Sequence, residues 1–137
     1  IAAAHGVRPI IDKPVASKSE AWHFDCRGSH QIVYDYYQAG KGNNLKPYTA
    51  AAASGILSTG IRVDYFGANQ AQAAIQSGLI RLGKTIGNID GQIGHKTQTA
   101  LTELGVTFDL LKVNDMLLQV ENLLQQRFPK EFSVPMV

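Results

Sequence analysis

The chain has a single cysteine, Cys26, among 137 residues, so no internal disulfide can form and stability has to come from packing. It has no uninterrupted apolar run long enough to cross a bilayer. Charge is sparse: Asp, Glu, Lys and Arg make up 18% of residues, the formal net charge is +2, and the Lys and Arg are scattered. No basic stripe suggests nucleic acid as a partner, and no polybasic tract suggests an anionic membrane. The opening Ile1 to Gly6 lacks the charged region and long apolar core of a signal peptide, and Ile1 is not an initiator methionine. The chain therefore reads as a processed or excised piece of something longer. What it does have is 45% hydrophobic residues, enough to bury the core of one domain or two small ones.

The most informative stretch runs from Ile75 to Leu101. Ile75, Leu79 and Leu82 recur at i, i+4 and i+7, a single helix face, and Gly83 follows as a residue able to enter the left-handed conformation that ends helices. Asp90, Gly91 and Gly94 supply positive-φ positions and local side-chain-to-backbone bonding, so the chain can reverse before a second helix over Lys96 to Leu104 with Ala100, Leu101 and Leu104 inward. On this reading the loop is a reversal held by backbone chemistry.

This spacing resembles the repeat of the peptidoglycan-binding helical domain found in bacterial and phage wall-active proteins. In that family a helix reading roughly Leu-Gln-x-x-Leu-x-x-Leu-Gly leads to an Asp-Gly-x-Phe-Gly loop and a second helix that opens x-x-Thr. Ile75, Gln76, Leu79, Leu82, Gly83, Asp90, Gly91, Gly94, Thr97, Ala100 and Leu101 fall on the matching positions, with Ile93 where the family usually has an aromatic. The match covers about a fifth of the chain. It implies peptidoglycan as partner, with Asp90 and Gly91 among the substrate-binding residues.

A second resemblance lies at the N-terminus. His5-Gly6-Val7-Arg8-Pro9, followed by Glu20-Ala21-Trp22-His23-Phe24, is similar to the last segment of D-alanyl-D-alanine carboxypeptidase-type zinc peptidases, which include many phage endolysins. The resemblance implies Glu20 as general base, His23 as a zinc ligand and Trp22 as a substrate contact. Zinc lowers the pKa of its water to roughly 7, and a nearby carboxylate then takes the proton. The family's other two ligands belong to a Ser-x-His-x-x-Gly-x-Ala-x-Asp element that this sequence does not contain, and a tight zinc site needs at least three protein ligands. The chain alone is not expected to hydrolyse peptides. A missing peptidase segment or another protein chain would have to complete the site.

Other features have plainer readings. Trp22, Phe24, Tyr34, Tyr36 and Tyr37 can stack on sugar rings but read first as core. The i, i+4 pattern of Ile32, Val33, Tyr36 and Tyr37 predicts a helix after Ser29. His30 reads as a surface or capping residue, and Cys26 as a small filler. Gly40 to Asn44 with Lys46-Pro47 is the clearest linker. Ala50 to Ala53 favour a short helix, and Ser58 to Gly67 suits a short strand or a loop. Leu110, Val113, Leu117, Val120 and Leu124 follow 3-4-3-4 spacing on a C-terminal amphipathic helix, and its excess apolar surface predicts a second contact.

The expected fold is mainly α: a three-helix peptidoglycan-binding-like unit preceded by a short α+β peptidase-like segment. The division is 1–40 peptidase-like, 41–70 linker and short helix, 71–128 wall-binding-like, and 129–137 tail. The expected function is that of a cell-wall-directed part of a lytic protein, extracytoplasmic or virion-associated. The alternative is a non-catalytic adaptor of a phage tail or baseplate.

Overall fold

Every residue from Ile75 to Arg81 is buried, although three of them, Gln76, Ser77 and Arg81, are polar. A computed structural model describes residues 7–9, 24–26 and 28–131. In chain order these form strand β1 (Val7–Pro9), strand β2 (Phe24–Cys26), helix α1 (Ser29–Gln38), helix α2 (Pro47–Ser58), helix α3 (Gln70–Arg81), helix α4 (His95–Glu103) and helix α5 (Val113–Arg127). Short 3-10 turns occupy Asp64–Asn69, Leu110–Lys112 and Pro129–Glu131. The fold is mainly α. β1 and β2 pair antiparallel, with Val7 opposite Cys26 and Pro9 opposite Phe24, and β2 lies beside α2. No helix among the described residues is long and apolar enough to cross a membrane.

Local chemistry explains the element boundaries. Pro47 opens α2 at its first turn, where its missing N–H costs nothing and its fixed φ suits a helix. α3 ends as the sequence predicts: Gly83 has φ 89°, its N–H donates to Ile80 O, and Lys84 N donates to Leu79 O. This paired closure satisfies carbonyls that a helix end otherwise leaves orphaned. The same two bonds end α1, α2 and α4 one residue after Ala39, Thr59 and Leu104.

Helix α3 is the hub, touching α1, α2, α4 and α5. The sequence pattern indicates one buried face, but neighbours cover all sides of its second half, so its polar residues must find partners inside the protein. α2 approaches closely because Ala50, Ala51, Ala53, Ser54 and Gly55 give it a small-residue surface, and all five are buried. α5 lies against α3 through Met116, Val120 and Leu124, spaced i, i+4 and i+8.

Two expectations change, and one left open is settled. The apolar line of α5 does not begin at Leu110: Asp109 accepts the N–H of Leu111 at 2.9 Å and holds a local turn, leaving Leu111 95% exposed and regular helix starting at Val113. Of the two readings of 58–67, strand or loop, the structure has the loop: α2 ends at Ser58, and an irregular stretch leads to the turn Asp64–Asn69. The stretch 40–46 is irregular, as a linker should be, yet it is pinned. Asn43 N donates to Asn88 Oδ1 at 2.8 Å, and Asn44 Nδ2 to Ile89 O at 2.6 Å. Val33, Tyr36 and Tyr37 of α1 share one core with Leu79, Leu101 and Leu124.

α3 and α5 approach closely at Gly78, where an added Cβ would lie 2.5 Å from Cγ1 of Val120. Alanine favours a helix over glycine by about 1 kcal/mol, whereas overpacking a core costs about 1–3 kcal/mol. Gly78→Ala is expected to lower the urea unfolding midpoint. With Val120→Ala in the same chain, the loss should be smaller than the sum of the two single losses. A single variant more stable than the parent would contradict the packing.

Candidate functional site

The loop between α3 and α4 is organised by one side chain. Gln76 is 1% exposed, and its carboxamide uses both ends. Oε1 accepts the N–H groups of Asp90 at 3.0 Å and Gly91 at 2.8 Å. Nε2 donates to Asp90 Oδ1 at 3.0 Å and to Gln92 O at 2.9 Å, with Thr97 Oγ1 at 3.5 Å. Asp90 Oδ1 also accepts Gln92 N at 2.9 Å, the local turn bond read from the sequence. Gly91 has φ 78°, and a Cβ there would meet Asn69 Cβ at 2.9 Å. Both its backbone conformation and its neighbour demand glycine.

The start of the loop is clamped from α1. The Tyr36 hydroxyl donates to Gly87 O at 2.6 Å and accepts Ile86 N at 3.0 Å. The Tyr37 hydroxyl donates to Asn44 Oδ1 at 2.7 Å and accepts Ile89 N at 2.8 Å. Burial raises both phenol pKa values, that of Tyr37 to about 12, so each stays a donor as well as an acceptor. Side chains, more than backbone chemistry, therefore hold the reversal. Asp90 is left exposed at its tip, with Gly91 buried beneath.

A second polar cluster lies between α1, α2 and α3. His30 is buried; its Nδ1 is 2.8 Å from Ser54 Oγ and its Nε2 is 3.2 Å from Ser58 Oγ. Ser54 in turn pairs with Ser77 of α3. Arg81 Nη1 donates to Ser29 Oγ at 3.4 Å, and Ser29 Oγ donates to Glu131 Oε2 at 2.6 Å. Burial, with the Arg81 charge nearby, pushes the His30 pKa down to about 3. Its ring is neutral near pH 7, which suits one donating and one accepting nitrogen. The Ser58–His30 contact joins the atom types of a nucleophile and a base, but a base titrating this low removes protons poorly at neutral pH. Holding geometry is the chemistry this cluster supports best.

The structure thus brings Asp90 and Gly91 together with Gln76, Gln92 and Thr97. Glu20, Trp22 and His23 lie outside the described residues. Tyr36 and Tyr37 belong to the core, as read. His30 departs from its surface or capping reading because α2 presents serines to both ring nitrogens. Among the described residues, no three His, Cys, Asp or Glu side chains converge where a metal ion would bind. Sequence reasoning passed over Arg81, Ser54, Ser58 and Ser77. Their only signal was the placing of serines and one arginine in otherwise apolar helices.

The His30 environment sets a pH dependence. The folded pKa lies below the ordinary value of 6.5, so the unfolded chain binds the proton more readily. The stabilisation is complete above about pH 6.5 and declines as pH falls toward about 3, by up to about 1.4 kcal/mol per unit. Chemical denaturation at pH 7 and pH 4.5 should show His30→Gln losing less stability than the parent over this interval. Equal losses would mean that the imidazole is not buried and neutral. Comparison of the chain with protein-family models, with curated proteins and with solved structures returns no match.

Proposed function

We propose that the chain is a peptidoglycan-binding, cell-wall-directed part of a lytic protein, with the α3–α4 hairpin as the wall-binding element. One observation carries this reading: Gln76, Asp90, Gly91 and Thr97, spaced as in the wall-binding repeat, are the residues of one hydrogen-bonded bracket that holds the loop tip outward. The exposed Asp90 carboxylate offers an acceptor to the amide and hydroxyl groups of a glycan or stem peptide. In this reading the hairpin belongs to a three-helix wall-binding unit. The residues before α1 derive from a zinc-peptidase-like α+β segment in which Glu20 and His23 need further metal ligands from another part of the protein or another chain. The location would be extracytoplasmic or on a virion.

The alternative, a structural adaptor of a phage tail or baseplate, draws support from a different feature. Leu110, Leu111 and Leu118 are each more than half exposed at and near the start of α5, an apolar surface suited to assembly.

Retention on purified peptidoglycan at low salt separates the two. The wall-binding reading predicts that the chain is retained, and that Asp90→Asn weakens retention about tenfold, the scale of one hydrogen bond to a charged group. It also predicts an unchanged circular dichroism spectrum for that variant. No retention of the parent chain would leave the adaptor reading.

A further inference from the structure

The turn Asp64–Asn69 packs against the Asp90 loop: a Cβ at Gly91 would meet Asn69 O at 3.2 Å and Phe66 Cδ1 at 3.7 Å. Phe66 is buried, and its N–H donates to Val63 O at 3.0 Å. Tyr65 meets the Phe66 ring edge to face, with centroids 5.3 Å apart and planes at 89°, yet stays 67% exposed. Gln70 Nε2 donates to Ile61 O at 3.0 Å and ties the stretch before the turn to α3. An exposed aromatic ring is thereby held beside the loop tip, and a ring already held in place loses little freedom when a ligand covers it. Polar groups stand next to it. Asp90 Oδ1 is taken by Gln76 and Gln92, whereas Oδ2 makes no hydrogen bond among the described residues. Asn69 is exposed and does not cap α3 with its side chain. Tyr65 and Asp90 both help to raise the Tyr37 pKa, as expected of groups gathered around one hydroxyl.

We propose that Tyr65, Asp90 and Asn69 form a glycan subsite, in which Tyr65 stacks on a sugar ring while Asp90 Oδ2 and the Asn69 carboxamide bind its hydroxyl and acetamido groups. A sugar presents a face of weakly positive C–H groups that complements the negative face of an aromatic ring. Its hydroxyls both donate and accept, and a carboxylate beside a carboxamide answers both needs. An ammonium group of a stem peptide also fits between an aromatic face and a carboxylate, but it only donates and leaves the Asn69 amide N–H groups unused. The inference rests on the wall-binding reading for the identity of the polymer, and it assigns the contact to the glycan strand.

The test is a titration of the full ¹⁵N-labelled chain with tetra-N-acetylchitotetraose, a glycan without stem peptide, and with the stem peptide alanyl-isoglutaminyl-lysine. The glycan should give saturable amide shifts at Tyr65, Asn69 and Gly91 and bind more tightly than the peptide. Tyr65→Ala should weaken the glycan about tenfold. Tyr65→Trp, which keeps an aromatic face, should bind at least as tightly as the parent, and in both variants the Ile86 amide held by Tyr36 should keep its position as evidence of an intact fold. No saturable shift with the glycan, shifts confined to other surfaces, or Tyr65→Ala binding as the parent does would overturn the proposal. The peptide binding more tightly than the glycan would overturn the assignment to the glycan strand. Retention of the parent on peptidoglycan without glycan shifts would sink this inference alone; glycan shifts in a chain that peptidoglycan does not retain would support the subsite and count against the wall-binding reading.

Discussion

The buried carboxamide of Gln76 is the interaction on which the rest of the structure depends. It sits in the second half of α3, which is enclosed on every side, where an amide without partners would cost a few kcal/mol. The loop from Asp90 to Gln92 supplies those partners, and in doing so acquires a fixed shape. Burial thus forces order at a surface loop, and that order connects helix packing to the candidate binding surface.

The same constraint recurs along α3. Ser77, one residue on, meets Ser54 of α2 and, through it, His30 of α1. Arg81, a turn later, meets Ser29 of α1, which reaches Glu131 beyond α5. Three successive polar side chains therefore tie the central helix to three different parts of the chain. Hydrophobic contact alone would permit these helices to slide, since it has no direction; hydrogen bonds with defined partners fix their register. Tyr36 and Tyr37 extend the arrangement, joining apolar rings in the core to hydroxyls that grip the loop backbone.

Much of this architecture is legible in the residues. The stop at Gly83, the reversal at Asp90-Gly91, the helix bearing Ala100 and Leu101 and the helix after Ser29 all follow from periodicity and turn chemistry, which are local. The all-round burial of α3 was not legible, because Gln76, Ser77 and Arg81 look like a polar face until α2, α5 and the loop are seen to cover them. His30 misleads for the same reason: its two serine partners lie 24 and 28 positions away. Leu110 fits the apolar spacing of α5, but the Asp109 cap, a competing local bond, turns the chain before the helix begins. Asp90 and Gly91 were readable as a turn; that Gln76 holds them depends on a contact across 14 and 15 positions.

The most direct measurement is amide hydrogen exchange at Asp90 and Gly91. If the Gln76 carboxamide holds the loop, both amides exchange slowly despite lying outside any helix, and Gln76→Leu speeds their exchange toward that of the irregular stretch after α2, while amides of the α1 core stay protected. Fast exchange of both amides in the parent chain, or protection unchanged in Gln76→Leu, would contradict the account.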